Sequence, residues 1–284
     1  MFGARRIRVK AFVSVGSVAV GLLLLALLFW PLERLRPARI QPRWRRDTPT
    51  DLAYWFFTPL VTRAVTRGSL VVAVVVLAFA AGVPLDREHV RAFAAGSGRG
   101  LGRQPVWLQV VEVLVVGDLI GYWSHRLFHG RRLWRFHAVH HSSTQVDWLS
   151  SVRLHPVNDV VSRVLQAVPL FLLGFAPGIM AGYVPFLSFH AIFLHANVPW
   201  SFGPLRYVVS SPVFHRWHHT TQAEGLDKNF AGLFPFIDLA FGTFYMPRAR
   251  QPAAFGIQGD PVPSGLLAQL AYPFRRARPG PAGA

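Results

Sequence analysis

The sequence predicts an all-α integral membrane protein, with about four to five transmembrane or hairpin helices and a histidine-rich helical cap at one membrane face. Three observations support this fold class. Hydrophobic residues make up 52% of the 284 residues and charged residues only 15%. Several apolar stretches approach the roughly 20 residues that a helix needs to cross a bilayer. The polar segments carry histidines at spacings of three and four, which share one helical face.

The first predicted element is a transmembrane helix from Ala11 to Trp30, long enough to cross roughly 30 Å of hydrocarbon. A cleaved signal peptide is the alternative, but the residues after Trp30 contain no small-residue cleavage site. A basic loop follows at residues 31–50. Residues 51–67 mix aromatic side chains with arginines, which indicates a helix in the membrane interface, and they lead into a short apolar span at residues 69–83.

The third span begins at about Val106 and continues directly into the first histidine pair. Two further apolar stretches, residues 157–175 and 179–198, are joined by an Ala-Pro-Gly sequence at residues 176–178. Proline and glycine in this position predict a tight turn between two helices. We therefore expect a membrane hairpin whose two ends return to the same side.

This hairpin places two isolated histidines near the histidine-rich cap. His155 precedes the first hairpin helix, and His195 ends the second. His190 is less favoured as a metal ligand, because it lies five residues before His195, about 140° away around a helix and one turn deeper.

The chain carries a net charge of +17, and 28 of its 30 basic residues are arginine. A nucleic-acid partner is rejected because the arginines are dispersed around apolar spans, where they set topology and contact anionic headgroups. The segments on the histidine side hold 19 Lys and Arg residues, and those on the other side hold eight. The count predicts a cytoplasmic histidine cap and an outside N-terminus.

Eight of the twelve histidines form three clusters with the patterns H-x3-H, H-x2-H-H and H-x2-H-H. The clusters are His125 and His129; His137, His140 and His141; and His215, His218 and His219. Imidazole is a common nitrogen ligand for transition metals, and the chain has no cysteine to supply thiolate. Eight imidazoles exceed the ligands of one zinc site, so two metal ions are expected. Two iron ions would suit oxidation by O2 and two zinc ions hydrolysis; the spacing does not choose between them.

One acidic residue lies on the same helical stripe as the first cluster. Asp118, Tyr122, His125 and His129 are spaced at i, i+4, i+7 and i+11. We expect the Asp118 carboxylate to accept an imidazole N–H and so fix its tautomer. The alternative is an ordinary hydrogen bond between packed helices.

Five sequence runs together resemble the fatty acid hydroxylase/sterol desaturase superfamily. They are residues 118–129 (DLIGYWSHRLFH), 133–143 (LWRFHAVHHSS), 211–219 (SPVFHRWHH), 227–232 (DKNFAG) and 241–245 (FGTFY). The similarity covers roughly residues 50–248, in order. It implies three domains: an N-terminal transmembrane anchor and basic loop at 1–49, a membrane catalytic domain at 50–250, and a partly disordered tail at 251–284.

The resemblance also implies an all-helical, O2-dependent membrane oxidase with two iron ions, for which zinc can substitute. Such enzymes hydroxylate or desaturate lipids or sterols. Their electrons come from a cytochrome b5, a ferredoxin or a related reductase, here expected to be a separate protein because no soluble domain is left over. The resemblance makes the eight cluster histidines ligands and adds His195 as a ninth. His155 is a further candidate, and Asp227 and Asn229 are expected to hold the third cluster by hydrogen bonds.

Two other functions remain as alternatives. A membrane metal carrier needs histidines along a path through the bilayer, whereas these lie in polar segments at one face. A lipid metallohydrolase would benefit from a carboxylate beside the metals as a general base, and the histidine clusters contain none. The preference for arginine over lysine weakly favours a bacterial inner membrane.

Overall fold

The computed structural model describes residues 2–42, 44–96, 100–248 and 250–275, and only the backbone of residues 2–14. Within these ranges the chain is helical, and the sole β-pairing is an isolated bridge between Thr220 and Phe255. The α-helices are α1 (Phe2–Leu35), α2 (Thr48–Phe57), α3 (Arg63–Ala80), α4 (Arg87–Ala95), α5 (Val106–Phe128), α6 (Trp134–His141), α7 (Pro156–Leu172), α8 (Pro177–His195), α9 (Pro212–His218), α10 (Pro235–Ala240) and α11 (Leu266–Ala271).

Four helical segments are long and apolar enough to cross a membrane, judged by length and composition. They are Val15–Leu35, Thr48–Ala80, Val106–Phe128 and Pro177–His195. Many of their large apolar side chains point outward, as a lipid-facing surface requires: Leu24 and Leu27 on α1 are 61% and 64% exposed, and Val72 on α3 is 61% exposed. The predicted all-α membrane fold is confirmed.

Contrary to the sequence prediction, residues 51–67 do not form a separate helix in the membrane interface. The chain runs without a break from Thr48 to Ala80, through a π-helical turn at Thr58–Thr62. Pro59 lies in this turn and has no N–H to donate, so the hydrogen-bond ladder widens there while the helix continues. The arginines that suggested an interface are therefore carried within one long helical run.

The predicted hairpin is formed by α7 and α8, and both helices pack against α5. Their connection contains Gly174 at φ 86°, a conformation that favours glycine, and Pro177 starts α8 where its missing N–H costs nothing. Buried Leu170, Phe175 and Tyr183 pack there with Val113 of α5. The hairpin thus returns His195 to the end of the molecule that carries the histidine helices α6 and α9.

The described part of the C-terminal segment covers the histidine cap. Buried Tyr272 packs against Tyr54 of α2 and against Ala138 and Val139 of α6. The bridge between Thr220 and Phe255 ties the same segment to the residues after α9. The predicted disorder from about Arg275 falls on residues 276–284, which lie outside the described residues.

Candidate metal centre

Nine histidines meet at one end of the helical bundle and form two groups. In each group, the potential ligand atoms all lie within 4.8 Å of one another. The five-histidine group contains His125, His129, His137, His141 and His218, and the four-histidine group contains His140, His195, His215 and His219. The two groups touch, because the rings of His141 and His219 stack with centroids 4.4 Å apart. The eight cluster histidines and His195 are therefore brought together.

Six of the nine imidazoles have their Nδ1 atom hydrogen-bonded to an oxygen. Carbonyl and carboxylate oxygens only accept, so Nδ1 carries the hydrogen and Nε2 is left with its lone pair. The pairs are His125 with the Phe230 carbonyl (2.8 Å), His129 with Asp227 Oδ1 (2.9 Å), His137 with Asn158 Oδ1 (2.7 Å), His140 with the Arg153 carbonyl (3.1 Å), His195 with the Ala191 carbonyl (2.7 Å) and His218 with the Lys228 carbonyl (2.8 Å).

These tautomers leave lone pairs facing each other inside both groups. The Nε2 atoms of His125 and His137 are 3.0 Å apart, and those of His140 and His195 are 3.3 Å apart. Since neither nitrogen in either pair carries a hydrogen, the contact is repulsive until a cation lies between or beside them. The buried Nε2 atoms of His129 and His218 also lack a hydrogen-bond partner within the described residues. The donor set therefore fits bound metal ions.

Burial keeps these imidazoles neutral, which is the form that binds metal. Outside the membrane-spanning helices, burial lowers the pKa of six cluster histidines well below 6.5, and repulsion from neighbouring imidazoles adds to the effect. These six are His137, His140, His141, His215, His218 and His219. Burial also lowers the pKa of His129, and the hydrogen bond to Asp227 opposes this shift.

One loop supplies three of the oxygen acceptors, all of them to the five-histidine group. This acceptor loop, residues 227–230, presents the Asp227 carboxylate and the carbonyls of Lys228 and Phe230. Asp227 and Asn229 both have positive φ angles, 53° and 60°, a conformation in which Asn and Asp are enriched among non-glycine residues. The two residues flank Lys228 and turn its carbonyl toward His218.

Two buried polar side chains hold the acceptor loop in place. Asn229 donates to the carbonyls of Phe214 and Tyr245 and accepts from the Tyr245 amide. The Asp238 carboxylate accepts from the amides of Phe230 and Ala231, and burial raises its pKa. Asn229 thus supports the third cluster through helix α9 and the loop.

The expected hydrogen bond from Asp118 to an imidazole is not formed within the described residues. The Asp118 carboxylate instead accepts from the amides of Gly232, Leu233 and Phe234, at 2.7 to 3.0 Å. It is 4% exposed and anchors the segment that follows the acceptor loop. The helical stripe predicted a carboxylate that binds an imidazole, but the backbone N–H groups at residues 232–234 bind it instead.

His155 and His190 lie outside both groups. His155 caps the start of α7, where its Nδ1 accepts from the Val157 amide and its Nε2 contacts the Leu270 carbonyl at 3.1 Å. Both ring nitrogens of His155 are thus used in holding backbone. His190 lies deeper on α8 beside Phe186. Neither residue is included in the ligand set proposed below.

Two residues beside the site are not evident from the histidine patterns. The side-chain oxygen of Asn158 accepts a hydrogen bond from His137. Asn158 lies three residues after His155, so a search for hydrogen-bonding side chains near that histidine would have found it in the sequence. The Arg153 carbonyl accepts from His140, while its guanidinium is buried and paired with Asp51 and Asp47. Backbone acceptors of this kind leave no signature in the side-chain pattern.

An apolar groove of about 380 Å³ lies between α5 and α8, and includes Val110, Val113, Ile179 and Phe186 among its walls. It occupies the end of these helices remote from the histidines, since Val110 precedes His125 by 15 residues, roughly 22 Å of helix. Tyr183 also lines this groove, and its hydroxyl packs so closely on Gly117 that a Cβ there would lie 2.4 Å from it. This apolar groove therefore lies at a distance from the two histidine groups.

Comparison with known proteins agrees with this site. Residues 110–243, which contain all nine histidines, match the family model for fatty acid hydroxylase. The chain is 37% identical to an ornithine lipid hydroxylase of Rhizobium tropici over 174 residues, which is 61% of this chain and 52% of that protein.

More distant relatives have related activities in their names. An alkylglycerol monooxygenase of Danio rerio is 32% identical over 49% of this chain and 30% of its own length. A very-long-chain aldehyde decarbonylase of Oryza sativa is 33% identical over 50% of this chain and 25% of its own length. No solved structure matches.

The chain spans about half the length of the first of these relatives and less than a third of the others. The shared region is nevertheless the one that carries the histidine patterns, the hairpin and the acceptor loop. Over residues 110–243 the chain therefore resembles the fatty acid hydroxylase family.

Proposed function

We propose that this protein is an O2-dependent di-iron membrane oxidase that hydroxylates, or desaturates, a C–H bond of a lipid or sterol-like substrate. One observation carries the proposal: nine buried or half-buried imidazoles converge in two touching groups, and hydrogen bonds at Nδ1 leave six of them with a free Nε2 lone pair. Such a site needs cations, and nitrogen ligands suit iron. Bound iron would supply the reduction of O2, a reaction that the side chains at this site do not perform alone.

The proposed ligands are the five histidines of one group and the four of the other. The oxygen acceptors behind six of them fix each ring's tautomer and orientation before metal binds, which lowers the cost of assembling the site. Asp227 does this directly for His129. Asn229 does so by tying the acceptor loop to helix α9, and Asp118 by holding the segment that follows the loop. Burial of both groups excludes water, which limits side reactions of a strong oxidant.

The proposed reaction requires a separate electron donor. Converting a C–H bond and O2 into an alcohol and one water takes two electrons and two protons beyond those of the substrate. Desaturation, which releases two waters, takes the same number. We infer that a cytochrome b5, a ferredoxin or a related reductase supplies the electrons.

The same proposal extends to the class of substrate, the boundaries of the domains and the membrane in which the protein lies. The named activities of the relatives all concern lipids or long-chain lipid derivatives, so a bilayer lipid is the favoured substrate class. We assign the catalytic domain to residues 50–250, the membrane anchor to 1–49 and the tail to 251–284. The preference for arginine over lysine favours a bacterial inner membrane, and the excess of Arg and Lys on the histidine side favours a metal centre that faces the cytoplasm.

Metal analysis of anaerobically purified protein tests the proposal. We expect two irons per chain, and O2 consumption when a reductant and membrane lipid extract are added. Lipid profiling of cells with and without the protein should then show a hydroxylated or unsaturated product that depends on O2. Zinc can occupy the same imidazoles, so metal content must be read together with O2 consumption.

The hydrolase alternative predicts a different outcome. Stoichiometric zinc, with lipid turnover that persists in the absence of O2, would contradict the oxidase. Within the described residues, the two histidine groups include no carboxylate. A hydrolase would therefore have no carboxylate among these ligands to act as its general base.

A further inference from the structure

We propose that Glu33, in the N-terminal helix α1, is a positioning residue for the four-histidine group. It lies outside residues 110–243, the region shared with the family model. The inference rests on the proposed metal centre. It gives the N-terminal segment a role in that centre beyond anchoring the chain in the membrane.

One carboxylate oxygen of Glu33 joins two distant segments of the chain. Its Oε1 atom accepts from the Trp148 amide at 3.0 Å and from the Asn197 amide at 2.8 Å. Asn197 lies two residues after His195, the ligand candidate at the end of α8. Trp148 begins the 3-10 turn Trp148–Val152, which leads directly into Arg153.

Both segments lead to imidazoles of the four-histidine group. The Arg153 carbonyl accepts from Nδ1 of His140 at 3.1 Å, so the position of the turn sets the orientation of that ring. The Nε2 atom of His195 lies 3.3 Å from that of His140 and 3.2 Å from that of His215. His195 thus contacts two other imidazoles of its group, and Glu33 fixes the backbone just beyond it.

The segment after α1 strengthens this connection. The Asn197 side chain donates to the Arg39 carbonyl at 2.7 Å and accepts from the Arg39 amide at 3.1 Å. The Asn197 carbonyl accepts from the Ala38 amide at 2.9 Å. Asn197 is 3% exposed, so these bonds are shielded from water. Residues 33–39 therefore hold Asn197 through both its backbone and its side chain.

An apolar cluster surrounds the Glu33 bonds. Phe29, one turn before Glu33, stacks on Trp148 with ring centroids 6.0 Å apart, and Trp55 makes an edge contact with Trp148, with centroids 5.6 Å apart. Ile192 and Ala196 complete the cluster beside His195. Without Glu33, two amide N–H groups next to this cluster would lose their acceptor, and burial makes such a loss costly.

The test compares Glu33→Leu, which removes the acceptor, with Glu33→Gln, which keeps a side-chain oxygen. Arg34→Leu is the matched control, because Arg34 is the neighbouring residue on the same helix and is exposed. Each full-length variant is loaded anaerobically with Fe(II), and separately with Zn(II), and the dissociation constants are measured by chelator competition. We expect Glu33→Leu to lower the binding affinity for one of the two metal ions about 10- to 100-fold, as loss of a supporting hydrogen bond does. Glu33→Gln should recover most of this affinity.

A selective effect separates positioning from general destabilisation. Retention of the other metal in Glu33→Leu shows that the protein is folded, whereas equal weakening of both metals would overturn the proposal. Combination with His219→Ala should add nothing to the loss caused by His219→Ala alone, because both changes act on the same group. Combination with His129→Ala should impair both groups. Additive effects with His219→Ala would overturn the assignment.

A readout without metal keeps this proposal distinct from the proposed function. Amide hydrogen exchange at Trp148 and Asn197 should accelerate in Glu33→Leu and remain slow in Arg34→Leu. If the wild type bound no metal, the proposed function would fail. Faster exchange would then still support the Glu33 contact, and unchanged exchange would overturn it.

Discussion

The two histidine groups differ in what holds them. The five-histidine group takes three of its oxygen acceptors from one short loop, residues 227–230, and one of its partners, Asp227, has a side chain that is 75% exposed. All members of the four-histidine group are buried. Two of them are oriented by backbone carbonyls, of Arg153 and Ala191, and long-range contacts to α1 hold the adjoining segments.

This difference separates a group supported mainly by one short loop from a fully buried group whose adjoining segments are held by helix α1. Substitutions near the acceptor loop should act on the first group, and substitutions in α1 on the second. The five-histidine group also lies nearer to solvent, through the hydrogen bond between His129 and Asp227. The predictions below test whether the groups respond separately.

The largest effect should come from removing one ligand of either group. We expect His141→Ala and His219→Ala each to lose metal and to reduce lipid oxidation to background, because an imidazole is replaced by a methyl group in a buried site. Metal content and O2 consumption measure the outcome. His89→Ala is the control, since His89 is exposed and pairs only with Asp86 among the described residues. Full metal retention in both cluster variants would refute the ligand assignment.

A smaller but group-specific effect is expected from Asp118→Ala. The change leaves the amides of Gly232, Leu233 and Phe234 without their acceptor; the Leu233 hydrogen bond is buried and the other two are partly buried. Because losing the acceptor of a buried amide costs about 1–3 kcal/mol and a partly buried one less, we expect the free energy of unfolding to fall by roughly 3 kcal/mol. Thermal unfolding in detergent and metal affinity should show that the five-histidine group weakens first.

Asp86→Ala is a suitable control for Asp118→Ala, since Asp86 is an exposed carboxylate that caps α4. If Asp118→Ala instead weakened only the metal of the four-histidine group, the division of support between the groups would be wrong.

The smallest effect should follow Asp227→Asn. The amide oxygen still accepts from Nδ1 of His129, and the side chain is largely in solvent, where the lost charge is screened. We expect metal affinity to fall less than about 10-fold, below the usual range for losing a supporting partner. Glu224→Gln, an exposed carboxylate outside the acceptor loop, gives the baseline. A complete loss of metal in Asp227→Asn would show that charge, rather than hydrogen bonding, is essential there.

Much of the fold and most of the gathered histidines were predictable from sequence. Apolar length marked the spans, the Pro-Gly turn marked the α7–α8 hairpin, and that hairpin correctly moved His195 toward the clusters while leaving His190 apart. The helical periodicity predicted which face of α5 carries Asp118, but not which groups its carboxylate binds. Its partners are backbone amides at residues 232–234, which leave no side-chain pattern in the sequence. His155 shared the hairpin argument, yet its Nδ1 caps helix α7 and its Nε2 contacts the Leu270 carbonyl.

Glu33 shows a different limit of sequence reasoning. A carboxylate at the end of an apolar span is a functional candidate in its own right, because such groups are costly to bury. In the sequence, however, Glu33 stands at the start of the basic loop, where a charged residue that flanks a span is ordinary. The contacts that distinguish it lie 115 and 164 residues away in the sequence.

That separation also sets the order in which the protein can be assembled. Helix α1 leaves the ribosome first, but the amide of Asn197 that binds Glu33 is made only after the α7–α8 hairpin has been synthesised, and His215 and His219 follow later still. The four-histidine group therefore cannot form while the chain is being inserted into the membrane. Metal delivery to this group must be a late event, after translation has passed residue 219. Until then, His140 and His195 lack the other two histidines of their group.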